Sequence, residues 1–170
     1  MKFVNEGRKI SILKMLGSLG IVVSSMIFYG ENQRYQSKKI RQMNAFISLI
    51  EHIKNMIQSY MLPIDKILCR CDAEIMKECG ISTCESESKS LKDIFESAEF
   101  YINSDAVEVI LNFASEFGGS YATEQVRLCE RCCESLTKLR DKQKETLDKE
   151  RKVNFAICLS ISLSAILLLI

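Results

Sequence analysis

The chain of 170 residues has no tryptophan, one proline, one histidine and seven glycines. Each shortage closes off a class of structure. A β-rich domain needs runs of alternating branched and aromatic residues joined by Gly, Pro, Asn or Asp turns, and no such alternation occurs. With Pro63 as the only proline, little in the chain breaks a helix. The lone histidine, His52, rules out a His-x-x-x-His metal pair, and there is neither a Gly-x-Ser-x-Gly elbow nor a Gly-rich phosphate loop. A net charge of +1 gives no general attraction for nucleic acid, so no nucleic-acid partner is expected. The carboxylates Asp65, Asp72, Glu74, Glu108 and Glu116 are spread as solvated helix faces rather than as a convergent pair, and no catalytic residue, cofactor or enzyme activity is expected.

What the chain does have is an apolar stretch near each end. Ile10 to Tyr29 reads ISILKMLGSLGIVVSSMIFY, and Val153 to Ile170 reads VNFAICLSISLSAILLLI. The second run carries no charge, and its 18 residues span about 27 Å as a helix, enough for a hydrocarbon core. The first is interrupted by Lys14, which can snorkel to the headgroups. A basic lead (Lys2, Arg8, Lys9) before an apolar stretch also describes a signal peptide, although no clear small-x-small cleavage site follows. The reading is two transmembrane helices, 13–30 and 153–170, after a short lead, 1–12, with a helical bundle at 31–139 and a charged helical stalk at 140–152. Lys138, Arg140, Lys142, Lys144, Lys149, Arg151 and Lys152 precede the second span, which by the positive-inside bias places the middle domain in the cytoplasm. Lys38, Lys39 and Arg41 are positioned to meet anionic headgroups of the bilayer.

Eight cysteines invite a disulfide or metal reading. A cytoplasmic domain keeps its thiols reduced. Cys129, Cys132 and Cys133, with Cys69-x-Cys71, supply enough thiolates for a zinc site on paper, but the cluster falls at i, i+3 and i+4 of a helical pattern and lacks the Gly-containing turn of a zinc knuckle. Small core side chains are the expected role, with no metal site.

The middle is patterned as helix nearly throughout. Apolar residues at 43, 46, 50, 53, 57 and 60 make a seam on a helix from about Tyr35 to Met61, widened by Ile40 and Ile47, with His52 on its surface. Leu62-Pro63 ends it, and Pro63 opens a second helix running to Cys79, stopped by Gly80. Ile81 to Lys89 is a polar linker. Ser90 and Asp93 form a capping box for a helix with Leu91, Ile94, Phe95, Ala98 and Ile102 inward. Ser104 caps the next, whose stripe is Val107, Ile110, Leu111, Ala114 and Phe117 and whose end is Gly118-Gly119. Ser120 opens the last helix, with Val126, Cys129, Cys133 and Leu136 inward. The fold class is all-α: a cytoplasmic bundle of about five to six helices flanked by N- and C-terminal transmembrane helices.

Several strings resemble the stage III sporulation protein AB family: LKMLGSLGIVVSSMIFYG (Leu13 to Gly30), LIEHIKNMIQSYMLPIDKIL (Leu49 to Leu68) and FASEFGGSYATEQVRLCERCCESL (Phe113 to Leu136). Leu16-Gly17, Leu62-Pro63 and the Gly119-Ser120 segment with Gln125 are the most specific parts. The chain departs from the family pattern in the residues ahead of Leu13, in Tyr121, and in the Lys152-Val153-Asn154 flank.

The resemblance implies similarity to the cytoplasmic domains of the F-type inner-membrane platform proteins of type II secretion. It implies a non-enzymatic scaffold in a sporulation-specific channel linking mother cell and forespore, seated in the outer forespore membrane. The implied partners are a secretion-type ATPase, other membrane and ring proteins of the channel, and the lipid bilayer, in an oligomeric assembly. Gly17, Gly20, Ser24, Ser160 and Ser164 are candidates for close packing of membrane helices, because small residues four apart let backbones approach. Leu62, Pro63, Gly118, Gly119, Ser120 and Gln125 are structural candidates. A generic membrane-anchored signalling or interaction module and a thiol metal or redox module are the alternatives.

Overall fold

The computed structural model describes residues 2–60, 64–81 and 90–169. They form six helices: α1 (Lys2–Tyr60), α2 (Ile64–Leu68), α3 (Ala73–Glu78), α4 (Leu91–Glu96), α5 (Ser104–Glu116) and α6 (Ala122–Leu169). No strand occurs among the described residues. The expected separate N-terminal helix is instead continuous with the seam helix, giving 59 residues in α1. Gly30 is the weakest helix former at that junction, and one interior glycine costs only about 1 kcal/mol against alanine.

The chain divides into two units: Met1–Gln36 with Glu145–Ile170, and Ser37–Lys144. In the first, large apolar side chains are exposed along both helices, among them Met26 at 71%, Ile27 at 62%, and Phe155 and Leu163 at 58%. Among the described residues no helix is long and apolar enough to cross a membrane. Most side chains of 10–28 and of 162–169 lie outside the described residues, and much of both expected spans falls there.

The second unit holds the hydrophobic core. From α1 come Met43, Phe46, Leu49, Ile50, Ile53 and Ile57; from α2 and α3, Ile67, Leu68 and Met76; from α4 and α5, Leu91, Phe95, Ala106, Ile110, Phe113 and Ala114; and from α6, Leu128, Cys129, Cys132 and Leu136. Phe46 packs edge-on against Phe95, with centroids 5.5 Å apart, and stacks on Phe100 at 5.6 Å. Phe95 in turn meets Phe113 at 6.5 Å, so aromatic contacts worth about 0.5–1.5 kcal/mol each tie α1, α4 and α5 together.

The polar ends follow local chemistry. The Ser90–Asp93 capping box forms as expected, the Ser90 hydroxyl accepting from the Asp93 N–H at 3.2 Å and the Asp93 carboxylate from the Ser90 N–H at 3.1 Å. The expected single helix from Pro63 to Cys79 is two short ones. Asp72 interrupts it, because its carboxylate accepts from the Glu74 N–H at 2.9 Å and caps α3 instead of continuing a helix. Leu62 and Pro63 lie outside the described residues, as does most of the expected linker. Gly80 ends this stretch with φ +77°.

Five further expectations need correction. On α6 the buried stripe is Leu128, Cys129, Cys132 and Leu136, with Val126 and Cys133 only partly buried. The seam stops at Ile57, and Tyr60 is 64% exposed. Asn103, not Ser104, stands at the α5 N-cap and makes no side-chain cap bond. The α5 stripe is turned from the expected one toward Ala106, Ile110, Phe113 and Ala114, which leaves Val107, Leu111 and Phe117 partly buried; the Phe113 ring, seated between Phe95 and Phe117, fixes that rotation. Ser120 does not open the last helix, since the first carbonyl to accept helical bonds is that of Tyr121, from Glu124 and Gln125.

Candidate functional site

In the Ser37–Lys144 unit, three contacts set α1 against α6. The Arg140 guanidinium donates to the Asn44 amide oxygen at 3.2 Å, the Cys133 thiol to the Ile47 carbonyl at 3.8 Å, and the Lys54 ammonium stands 3.9 Å from Glu130. Numbers rise along α1 as they fall along α6, so the two helices are antiparallel. This register gives the unit two chemically different ends. One collects the bases of 38–41 and 140–144. The other brings the last turn of α1 and the first turn of α6 to one level, where Tyr60 is 64% exposed and Tyr121 88%.

The α5–α6 turn builds the second end. Phe117 closes α5 with its N–H on the Phe113 carbonyl, and Gly118 takes φ +95°, a conformation with little penalty only for glycine. The Gln125 side-chain amide then donates to the Ser120 carbonyl at 2.8 Å, holding the turn that presents Tyr121. The phenol of Tyr101, elsewhere on the surface, is pushed up by its hydrogen bond to Glu99.

Behind the first end lies a polar clasp. Gln42 is 2% exposed, the single buried polar residue among those described. Its amide nitrogen donates to the carbonyls of Cys79 at 3.1 Å and Glu99 at 2.6 Å, and its oxygen accepts from the Tyr101 N–H at 2.7 Å. One side chain of α1 thus ties down the α3 terminus and the α4–α5 connection. Gly80 sits inside the clasp, its carbonyl accepting from the Glu99 N–H at 3.1 Å.

Cys79, Cys129 and Cys132 lie in the core and Cys71 and Cys133 are half-buried, while Cys69 is exposed. Burial pushes Cys129 and Cys132 up to about 12, with the neighbouring Cys133 thiol adding to both. Cys133 rises to about 11 through burial and then the Glu51 charge, and burial drives Cys79 higher still. Protonated at neutral pH, these groups are weak nucleophiles and weak metal ligands. Among the described residues no group of three or more His, Cys, Asp or Glu side chains is placed to hold a metal ion. His52 was expected on the helix surface and is instead half-buried, its Nε2 shielded without a hydrogen-bond partner.

The family model for stage III sporulation protein AB matches residues 14–170. The chain belongs to that family. No curated protein and no solved structure matches it.

In this member of the stage III sporulation protein AB family, the small-residue candidates fall in the Met1–Gln36 with Glu145–Ile170 unit. A Cβ added at Gly17 or Gly20 would meet nothing within 4 Å. Ser24 and Ser164 are exposed, and the Ser160 hydroxyl donates to its own helix at the Ala156 carbonyl, 2.9 Å away. Gly118, Gly119, Ser120 and Gln125 come together in the α5–α6 turn. Sequence reasoning missed Gln42 altogether. The signal was its place on the 42, 46, 49, 53 stripe of α1, which its polarity obscured.

Proposed function

We propose that this sporulation protein is a membrane-anchored, non-enzymatic platform subunit of a secretion-like channel between mother cell and forespore, with its Ser37–Lys144 unit in the cytoplasm. The observation that carries the anchoring is the run of apolar side chains from Val153 to Leu163, 50–58% exposed at Val153, Phe155, Ile157, Leu159, Ile161 and Leu163. Water does not tolerate an apolar surface of that extent, so lipid or a partner must cover it. The basic flank from Lys138 to Lys152 supports the orientation. Membership of the family supports the sporulation setting, and the resemblance to platform proteins supports an ATPase as the cytoplasmic partner. The aromatic end carrying Tyr60 and Tyr121 is the surface we assign to that partner, since large exposed aromatics are the residues that anchor interfaces.

The reading expects the full chain to resist extraction from membranes by alkaline carbonate. A single engineered thiol between Ile81 and Lys89 should be hidden from an impermeant reagent in intact cells. Deleting 153–170 should abolish sporulation, and Tyr121→Ser combined with Tyr60→Ser should weaken co-purification of the ATPase without lowering stability. Labelling of the linker thiol in intact cells would overturn the orientation, and turnover of a substrate by the purified chain would overturn the platform.

A further inference from the structure

The α1–α6 register gathers Lys38, Lys39, Arg41, Arg140, Lys142 and Lys144 at one end of the Ser37–Lys144 unit. Four carboxylates share that end. Asp141 is held by Arg140 at 2.9 Å and Glu78 by Arg41 at 3.7 Å. Glu99 engages the Tyr101 phenol, and Asp105 accepts from the Ser104 hydroxyl at 3.3 Å, beside the Asn103–Gln143 contact. Positive charge remains in excess. Lys38, Lys142 and Lys144 are exposed and Lys39 half-exposed. The stretch 71–130, by contrast, has 13 acidic and 4 basic residues, so charge is sharply segregated along the chain.

We propose that this basic end is a binding surface for the headgroups of anionic phospholipids. The inference rests on the anchored reading above, and chain length favours lipid over any other polyanion. Lys38 stands eight residues after Gly30, and Lys144 nine residues before Val153. Eight to nine helical residues rise about 12–14 Å. The headgroup layer extends roughly 5–7 Å beyond the hydrocarbon on each side, and attraction persists over a further screening length of about 8–10 Å. Both pairs of lysines therefore fall within the field of an anionic surface, one pair from each helix. Such a surface would hold the unit at the bilayer at a defined level and make its position depend on lipid composition.

The test reconstitutes the full chain in vesicles of phosphatidylcholine with a minor fraction of phosphatidylglycerol and measures, with spin-labelled lipids, which lipid contacts the protein. Each basic residue close to an anionic surface multiplies association about fivefold, so a preference for phosphatidylglycerol of at least about that factor is expected. It should weaken in molar salt. The combined variant K38Q, K39Q, K142Q and K144Q should fall toward equal preference. A charge-matched variant elsewhere, K66Q, R70Q, K92Q and R131Q, should keep the preference. Far-UV circular dichroism checks that both fold. A preference absent from the wild type, surviving the first variant or lost equally in the second would overturn the proposal. Carbonate extraction of the same vesicles reads the anchor separately: a chain stripped off by carbonate that still shows the lysine-dependent preference refutes the anchored reading while upholding the basic surface.

Discussion

Replacing Gln42 with methionine keeps the length and volume of the side chain and removes its amide. The partners it leaves are backbone groups, which no second substitution can remove. The Cys79 carbonyl lies on a buried bond, and an orphaned buried acceptor costs about 1–3 kcal/mol. The Glu99 carbonyl and Tyr101 N–H are partly buried and can recruit water, so each adds about 0.5–1 kcal/mol. The total, about 2–5 kcal/mol, is a large share of the roughly 5–15 kcal/mol that a domain of this size has. It should lower the thermal midpoint by on the order of 10–20 °C, read by circular dichroism on the full chain in micelles. Amide exchange should speed up at Tyr101. Ser48→Ala, at an exposed position of the same helix, gives the reference. Gln42→Glu adds a sign test. Its carboxylate would face two carbonyls, so its folded pKa would be raised above the unfolded value of about 4.3. That variant's stability is then greatest below about pH 4 and falls as pH rises through the folded pKa. A Gln42→Met midpoint no lower than that of Ser48→Ala, or a Gln42→Glu chain more stable at pH 7 than at pH 4, would refute the clasp.

Three other outcomes are expected. Gly80→Ala should be much worse than Gly118→Ala: both sit at positive φ, but only at Gly80 would the new Cβ lie 2.5 Å from a carbonyl, that of Glu99, so denaturant midpoints should separate the two by more than about 1 kcal/mol. Phe113→Ala should cost about 3–5 kcal/mol by the same measurement and the half-buried Leu111→Ala clearly less. Stability should fall as pH rises from about 9 toward 12, because unfolded thiols ionise first while Cys129 and Cys132 stay protonated up to about 12; the slope reaches about 1.4 kcal/mol per pH unit per thiol, and Cys129→Ala should flatten it.

Periodicity read most of the bundle correctly where residues lie inside long helices. Met43, Phe46, Ile50, Ile53 and Ile57 needed only the helical repeat and their apolarity, and Ser90–Asp93 needed only capping chemistry. The failures came where tertiary contacts decide. Asp72 could have continued a helix and caps one instead; Phe113 turned α5 because Phe95 and Phe117 accept its ring; Ile81, expected in a polar linker, is buried from a loop, where no period exists to place it. Gln42 fell on the right stripe with the wrong polarity, because its partners are backbone groups that only the fold brings together. The aromatic end of the bundle was invisible for the same reason. Tyr60 and Tyr121 are 61 positions apart in the sequence and become neighbours in level only through the antiparallel register.

That register also dictates when the protein can be finished. The contacts joining α1 to α6 link residues 86 and 96 positions apart, with the short helices lying between them in the chain. A ribosome adds about 5–20 residues each second, so Phe46, Ile50 and Ile53 wait roughly 4–20 s after they are made before Cys132 and Leu136 exist to cover them. Local turns can form in that interval, yet closing so long a loop yields its reward only at the end. The nascent chain therefore carries its most apolar helix face uncovered through most of its synthesis, and its abundance in the cell should depend on the holdases that reach that face first.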